Sequence, residues 1–188
     1  MDSKDKVIFL AGKKINLRPL SKNDVGKLTR WINDSDVTQY LSVYLPVCEN
    51  EEIEWVEKLS KHKSSDIVLG IETIESVLIG TIGLHGINWK DRTGTLGISI
   101  GEKSYWGKGS GREAVTLILR YAFKTLNLRK VCLSVLGHNK HAIKCYKSCG
   151  FKVEGCCKRQ IFKNNRYVDE ILMAVFRNKT RDWRKNDF

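Results

Sequence analysis

Gly101-Glu-Lys-Ser-Tyr-Trp-Gly-Lys-Gly-Ser-Gly-Arg112 is the most informative stretch of this chain. Three glycines stand at its alternate positions 107, 109 and 111, between an apolar run and an amphipathic segment. Glycine readily adopts positive φ and lets the backbone approach a ligand closely, and a helix start leaves N–H groups without partners. The stretch therefore predicts an anion-binding loop at a helix N-terminus, with a ligand-free strand-to-helix turn as the alternative.

The hydrophobic periodicity around this loop predicts the α/β (α+β) class, with a mixed, mostly antiparallel sheet and helices on both faces. The expected element order is β-α-α-β-β-β-α-β-α-β-β. The strands are expected at 15–20, 67–73, 77–84, 95–100, 128–136, 151–160 and 167–176, and the helices at 24–33, 49–62, 112–124 and 139–149. Asn164-Asn165 predicts a hairpin turn because asparagine tolerates left-handed conformations.

Length and composition predict one domain over residues 1–188, with a lead-in at 1–14 and a basic tail at 177–188. Hydrophobic residues make up 41% of the chain, which argues against disorder. No apolar run reaches the length of a membrane span, and the N-terminus lacks a signal-peptide pattern. We expect a cytoplasmic protein without a membrane partner.

The six cysteines do not form a recognisable metal motif. His141, Cys145 and Cys149 are spaced to share one helical face, but the chain contains no CxxC pair and no HxxxH. We therefore expect reduced thiols and no metal site.

The formal net charge of +12 is unevenly distributed. Seven acids and no Lys or Arg lie between residues 31 and 57, whereas 20 Lys or Arg and six acids follow from residue 103 onward. The second half is suited to anions and the acidic segment to a cation, unless both are simply solvated faces. The GxGxG spacing fits neither the Rossmann fingerprint nor the Walker A motif.

These features together resemble the Gcn5-related N-acetyltransferase (GNAT) superfamily, and within it the ribosomal-protein Nα-acetyltransferase-like group. The matching pieces are Leu17-Arg-Pro-Leu20 with Asp24, Trp31-Ile-Asn-Asp34, the strand 97–100, the loop 105–111 with Glu113-Ala114, and Asn139 through Ala142, Ile143 and Tyr146 to Gly150-Phe151. The resemblance covers nearly the whole chain.

The resemblance implies an acetyl-CoA-dependent acyltransferase and a role for each piece. The loop should hold the donor's pyrophosphate, the strand before it should pair with the pantetheine arm, and Tyr146 should protonate the leaving thiolate. The implied donor-binding residues are Ile98, Ser99, Ile100, Trp106, Gly107, Lys108, Gly109, Ser110, Gly111, Arg112 and Asn139.

Two positions depart from the family pattern. Trp106 replaces the usual Arg or Gln ahead of the glycines, so binding through the backbone is expected to survive. Thr95 stands where many relatives carry a catalytic Glu, which leaves the base open between Glu102, Asp91 and His85 acting through water.

The acceptor is expected to be a primary amine. At pH 7 a protein α-amino group is deprotonated at a cost of about 1–1.4 kcal/mol, against about 4.6 kcal/mol for a lysine-like amine. This favours a protein N-terminus, with a small amine such as an amino sugar, aminoglycoside or polyamine as the alternative. Trp31, Tyr40 and His85 are the candidate acceptor-binding residues.

A different class of function is a non-catalytic module that binds acetyl-CoA or nucleic acid. The chain has no basic stripe interleaved with aromatic residues, so we expect no direct sequence-specific nucleic-acid binding. The quaternary state is expected to be a monomer or a homodimer.

Overall fold

The computed structural model describes residues 7–61 and 65–177. Its strands are β1 (Leu10–Ala11), β2 (Ile15–Arg18), β3 (Ile67–Thr73), β4 (Leu78–Asn88), β5 (Thr93–Ile100), β6 (Lys130–Leu136), β7 (Lys152–Lys163) and β8 (Arg166–Phe176). They form one eight-stranded sheet in the order β1-β2-β3-β4-β5-β6-β8-β7. Neighbouring strands are antiparallel except for β5 and β6, which are parallel.

The helices are α1 (Val25–Ile32), α2 (Ser35–Thr38), α3 (Glu49–Lys61), α4 (Ser110–Lys124) and α5 (Lys140–Ser148). This arrangement confirms the predicted fold class. Two short elements were missed: β1, which pairs Leu10 with Leu17, and α2, whose N-cap Asp34 accepts from Asp36 N. Elements of two and four residues are too short to show a hydrophobic period. Residues 1–6 of the predicted lead-in, the end of the predicted second helix at His62 and the tail 178–188 lie outside the described residues.

Two adjacent residues of β4 demonstrate that helices cover both faces of the sheet. Leu78 packs in a cluster with residues of α1 and α3, whereas Ile79 belongs to the main core, which contains the inner face of α4. Successive side chains of a strand point to opposite faces, so α4 and the α1–α3 pair lie on opposite sides.

The parallel strands β5 and β6 are paired only near their beginnings. The register joins residues 93–95 of β5 to residues 130–132 of β6. Among the described residues, no strand partner is assigned to the β6 side of β5 beyond Thr95, and the opening leads to the glycine loop.

A buried ion cluster joins the first strand to the elements that follow. The guanidinium of Arg18 pairs with Asp24 at 2.8 Å and with Glu72 at 2.8 Å. Burial alone would raise the pKa of Asp24, but hydrogen bonds from Arg18 and Ser21 lower it overall. Breaking such a pair would leave an uncompensated buried charge, which is strongly destabilising. Because Asp24 immediately precedes α1, its ion pair with Arg18 holds the start of that helix against β2.

The hairpin between β7 and β8 confirms the turn prediction. Asn164 and Asn165 have φ values of 50° and 58°, the left-handed region that asparagine tolerates. At the end of α5, Gly150 has a φ of 97°, as expected for a glycine that terminates a helix.

Candidate active site

The glycine loop turns sharply into α4. Gly107 has a φ of 73° and Gly109 a φ of 90°, and a Cβ atom at either residue would meet no atom within 4 Å. The helical hydrogen bonding starts with Glu113 N donating to Gly109 O. The preceding N–H groups therefore have no acceptor within the helix, and open space lies beside them. This is the geometry of an anion cradle.

The loop is tied to the strand that precedes it. The indole Nε1 of Trp106 donates to Ile100 O at 2.7 Å, and the Nζ of Lys108 lies 5.4 Å from the ring centroid of Tyr105. Trp106 is thus anchored by its side chain, and the Arg112 side chain is exposed at the first turn of α4.

A cavity of about 570 Å³ lies on the face of the sheet that α1 and α3 cover. Its floor is formed by β4 and β5, and its walls by α1, α2, α3, the loop before α3 and β3. The lining residues are Leu28, Trp31, Ile32, Val37, Leu41, Val43, Val47, Glu51, Glu52, Trp55, Val68, Thr81, Ile82, Gly83, His85, Gly97, Ile98 and Ser99.

Two glycines of the floor segment make room for the larger side chains of the cavity. A Cβ atom on Gly97 would lie 3.0 Å from His85 Nε2, and one on Gly101 would lie 2.0 Å from the Trp31 ring. The positions of Trp31 and His85 therefore depend on the absence of side chains at these glycines. Thr95 lies directly opposite His85 in the β4–β5 register.

Of the three candidate acceptor residues, Trp31 and His85 line the cavity and Tyr40 does not. The Tyr40 ring instead lies 5.5 Å from the ring of His138 and is 36% exposed. The sequence places Tyr40 in the right loop, but only the tertiary structure determines which way its ring points.

Two carboxylates from α3, Glu51 and Glu52, line the cavity. Both belong to the acidic segment that the sequence analysis judged suited to a cation, although neither was proposed individually as a site residue. Glu51 Oε2 accepts from Cys48 N, whereas Glu52 is only 9% exposed and its Oε2 has no hydrogen-bond partner among the described residues. Burial, and then repulsion from Glu51, raise the pKa of Glu52. Glu52 lies four residues before the buried Val56, and this helical spacing was the available signal.

Trp31 provides a second unpartnered polar atom at the same cavity. Its Nε1 is buried without a hydrogen-bond partner among the described residues, and the residue as a whole is 6% exposed. Buried polar groups are normally hydrogen-bonded, so these atoms point to a ligand or to ordered water. The cavity combines indole rings with unneutralised carboxylate, an arrangement suited to an organic cation.

Helix α5 carries Tyr146 beside the start of α4. Cys149 Sγ donates to Arg112 O at 3.7 Å, and the Tyr146 ring lies 5.9 Å from that of Phe151. Burial first, then the neighbouring Cys145 and Cys149, raise the pKa of Tyr146 above its ordinary value, so the phenol is protonated at neutral pH.

Asn139 lies at the start of α5 and has a structural partner. Its Oδ1 accepts from Ala142 N at 3.1 Å, which makes it the N-cap of the helix. Within the described ranges, no acceptor is found for its Nδ2.

The segment between α2 and α3 is clamped from two sides. Lys163 Nζ, near the tip of the β7–β8 hairpin, donates to Leu41 O at 2.8 Å and to Val43 O at 3.1 Å. Asn33 exchanges two hydrogen bonds with the backbone of Val47. The wall of the cavity is therefore held by residues distant in sequence.

Three features define the class of acyl-CoA-dependent transferases with the GNAT fold. They are the splayed parallel strands β5 and β6, the glycine loop between β5 and α4, and the neighbouring helix α5. The family model described as acetyltransferase (GNAT) domain matches residues 14–152, and the chain belongs to this family. The protein is therefore an N-acetyltransferase with acetyl-CoA as the donor. No helix in the described part of the chain is long and apolar enough to cross a membrane.

The chain is similar to two curated spermidine N(1)-acetyltransferases. The Vibrio cholerae enzyme is 29% identical over 166 residues, which cover 88% of this chain and 95% of that relative. The Escherichia coli K12 enzyme is 29% identical over 167 residues, covering 88% and 87%. The crystal structure of the spermidine N-acetyltransferase from Vibrio cholerae with CoA and spermine superposes with a TM-score of 0.82 at 28% identity, covering 88% of this chain and 96% of that one.

Proposed function

We propose that this protein acetylates a primary amine of a polyamine. The observation that carries the proposal is the cavity in which Glu51 and Glu52 meet the indole rings of Trp31 and Trp55. A polyamine keeps further ammonium groups when one amine reacts, and carboxylates with aromatic faces bind such groups. The resemblance to two spermidine acetyltransferases supports the same acceptor class.

The comparisons favour this alternative over the protein N-terminus that the sequence favoured. Deprotonation alone favours an α-amine, because it costs about 3 kcal/mol more for a lysine-like amine. The buried Glu52 carboxylate adds a term that the sequence could not supply, because a second ammonium group would neutralise it. The relatives provide no support for the ribosomal-protein subgroup.

For the donor we propose binding mainly through backbone groups. The N–H groups of residues 107–112 would hold the pyrophosphate, with Lys108 and Arg112 adding charge and Trp106 fixing the loop. The open side of residues 98–100 would accept the pantetheine arm as an added strand, and Asn139 would contact it with its Nδ2. The open space at Gly107 and Gly109 fits this ligand.

Acetyl-CoA supplies an activated thioester. The residues of this chain would accept one proton from the attacking amine and donate one to the departing sulfur. His85 lines the cavity floor beside β5, and we propose that it accepts the proton of the attacking amine, directly or through water. Tyr146 would hold a proton available to the departing sulfur, since its phenol is protonated at neutral pH. The N–H groups of β5 would polarise the acetyl carbonyl.

The acceptor class is tested by supplying acetyl-CoA with spermidine, spermine, glucosamine, an aminoglycoside or a short peptide with a free N-terminus, and quantifying acetylated products by mass spectrometry. We expect kcat/KM for the polyamines to exceed that for the peptide by about 100-fold. Preference for the peptide or for an amino sugar would overturn the proposal. We also propose that residues 1–188 act as one catalytic domain.

A further inference from the structure

One edge of the sheet concentrates positive charge. It comprises the end of β4, the starts of β3, β5, β6 and β7, and the end of β8, and we call it the basic edge. Arg129 N donates to Arg92 O at 2.6 Å, and Arg177 N donates to Arg129 O at 2.9 Å. Three arginines from separate parts of the chain therefore have adjacent backbones, and all three are exposed.

The acids at this edge are already engaged within the protein. Six cations belong to the described part of the basic edge: Lys90, Arg92, Arg129, Lys130, Lys152 and Arg177. The described acids there are Asp66, which accepts from Gly86 N at 2.8 Å, Asp91, which accepts from Asn88 Nδ2 at 2.9 Å, and Glu154, which pairs with Lys130 at 2.7 Å. The edge therefore presents a strong net positive charge.

Two large aromatic side chains are exposed at the same edge. Trp89 lies in the turn that contains Arg92 and is 48% exposed, and Phe176 precedes Arg177 and is 50% exposed. Lys130 Nζ lies 5.2 Å from the centroid of the Phe176 ring. The folded chain thus combines cations and aromatic faces that are scattered in the sequence.

The basic edge is distant from the glycine loop. The eight residues of β5 separate Arg92 from the loop, which corresponds to roughly 25 Å of extended chain. The positive charge of the basic edge is therefore not needed to bind the phosphates of an acetyl-CoA molecule at the loop. It has no role in the proposed reaction.

We propose that the basic edge binds the sugar-phosphate backbone of single-stranded nucleic acid without reading its sequence. Arginine forks match phosphate oxygens, and exposed aromatic rings stack on bases of any identity. An anionic membrane is the weaker candidate, because the edge consists of turns and strand ends and presents no amphipathic helix within the described residues. This inference does not depend on the acceptor proposed above.

The test is fluorescence anisotropy with labelled 12-nucleotide oligouridylate and oligothymidylate, measured between 50 and 200 mM salt without acetyl-CoA or polyamine. The variant Arg92→Gln/Arg129→Gln/Arg177→Gln should bind at least tenfold more weakly at 50 mM salt. The slope of log affinity against log salt should fall by about 2, since each lost phosphate contact contributes about 0.7 for single strands. Binding of both oligonucleotides indicates phosphate recognition, and binding of RNA alone adds a contact to the 2′-hydroxyl.

A matched control removes three exposed cations from elsewhere, with Lys14→Gln/Arg159→Gln/Arg166→Gln. It should change affinity by less than threefold. Equal losses in the two variants, no binding by the parent protein at 50 mM salt, or binding only to vesicles containing phosphatidylglycerol would each overturn the proposal. Spermidine acetylation by the arginine variant should stay within twofold of the parent. If spermidine is not a substrate, nucleic-acid binding still decides this inference.

Discussion

The glycine loop and the cavity under α1 and α3 meet at strand β5 but are built in different ways. The loop uses backbone geometry, with Gly107 and Gly109 in left-handed conformations and the N–H groups of a helix start. The cavity uses residues from three helices, three strands and the loop before α3, including the buried Glu52. A loop of this kind tolerates many side chains but few backbone changes, whereas the cavity is sensitive to single side chains. In the function proposed above, donor recognition is therefore encoded locally and acceptor recognition is distributed.

The largest effect is expected at the proposed proton donor on α5, which belongs to neither region. Tyr146→Phe keeps the packing against Phe151 but removes the hydroxyl, so kcat should fall by roughly 100-fold or more. Acetyl-CoA affinity, measured by calorimetry, should stay within twofold. The control is Tyr121→Phe in α4, which removes a phenol whose ring packs on Phe9 and should leave kcat unchanged. Equal rates for Tyr146→Phe and the parent would remove the proposed acid.

The backbone character of the loop is tested with Gly109→Val. A β-branched residue at a φ of 90° is strained, so the loop should change shape and acetyl-CoA should bind at least about tenfold more weakly. The matched change is Gly26→Ala in α1, where a Cβ atom meets nothing within 4 Å and the free energy of unfolding should rise by about 0.5–1 kcal/mol. Unchanged donor affinity in Gly109→Val would contradict the backbone mechanism.

The side-chain character of the cavity is tested with Glu52→Gln. The KM for spermidine should rise about tenfold while the KM for acetyl-CoA stays the same, because a charge-assisted contact to an ammonium group is lost. The melting temperature should not fall, because the buried carboxylate has an unpartnered oxygen. Glu54→Gln, an exposed residue of the same helix that pairs with Lys58, is the control and should leave both constants unchanged.

The same residue gives a pH dependence with a defined sign. The pKa of Glu52 is raised in the folded protein, so ionisation costs stability as pH rises from the unfolded value through the folded value. The stability of the unliganded protein should therefore be higher below that window, while the spermidine KM should fall as pH rises through it. Glu52→Gln should flatten both changes, and a parent KM that is constant with pH would argue against Glu52 as an ammonium partner.

The smallest effect concerns the wall of the cavity. Lys163→Met removes the hydrogen bonds to Leu41 O and Val43 O, so the spermidine KM should rise two- to threefold with acetyl-CoA binding unchanged. The control is Lys158→Met, at a lysine of the same strand as Lys163. It removes an exposed ion pair with Asp169 of β8 and should have no effect on the spermidine KM. Steady-state kinetics on both variants distinguishes two causes. A change only in Lys163→Met indicates the hydrogen bonds to Leu41 O and Val43 O, and equal changes indicate a general effect of losing a charge.

Much of the donor side could be predicted from the sequence because its signals are local. The alternate glycines, the strand before them, the helix after them and the turn at Asn164-Asn165 each depend on neighbours within a few residues. The splay between β5 and β6 was implied only by the family resemblance and not by the local pattern, because strand pairing joins residues about 37 positions apart. The short elements β1 and α2 were missed for lack of a period.

The acceptor side was only partly predictable. Trp31 and His85 were proposed and both line the cavity, but the Tyr40 ring lies against His138. The acidic segment was expected to suit a cation, but its sequence did not indicate that Glu52 is the buried member. The direction of a ring in a loop and the burial of one glutamate among several depend on which helix packs against which strand.

The sequence by itself determined the family, the glycine loop at the start of α4 and the order of the main elements, because glycine conformation and hydrophobic period act between near neighbours. Only the tertiary structure decided which carboxylate is buried, which aromatic rings face the cavity and that three distant arginines share one edge. Those features arise from contacts between segments far apart in the chain. Burial by such contacts changes the free energy of a charged group more than its neighbours in sequence do.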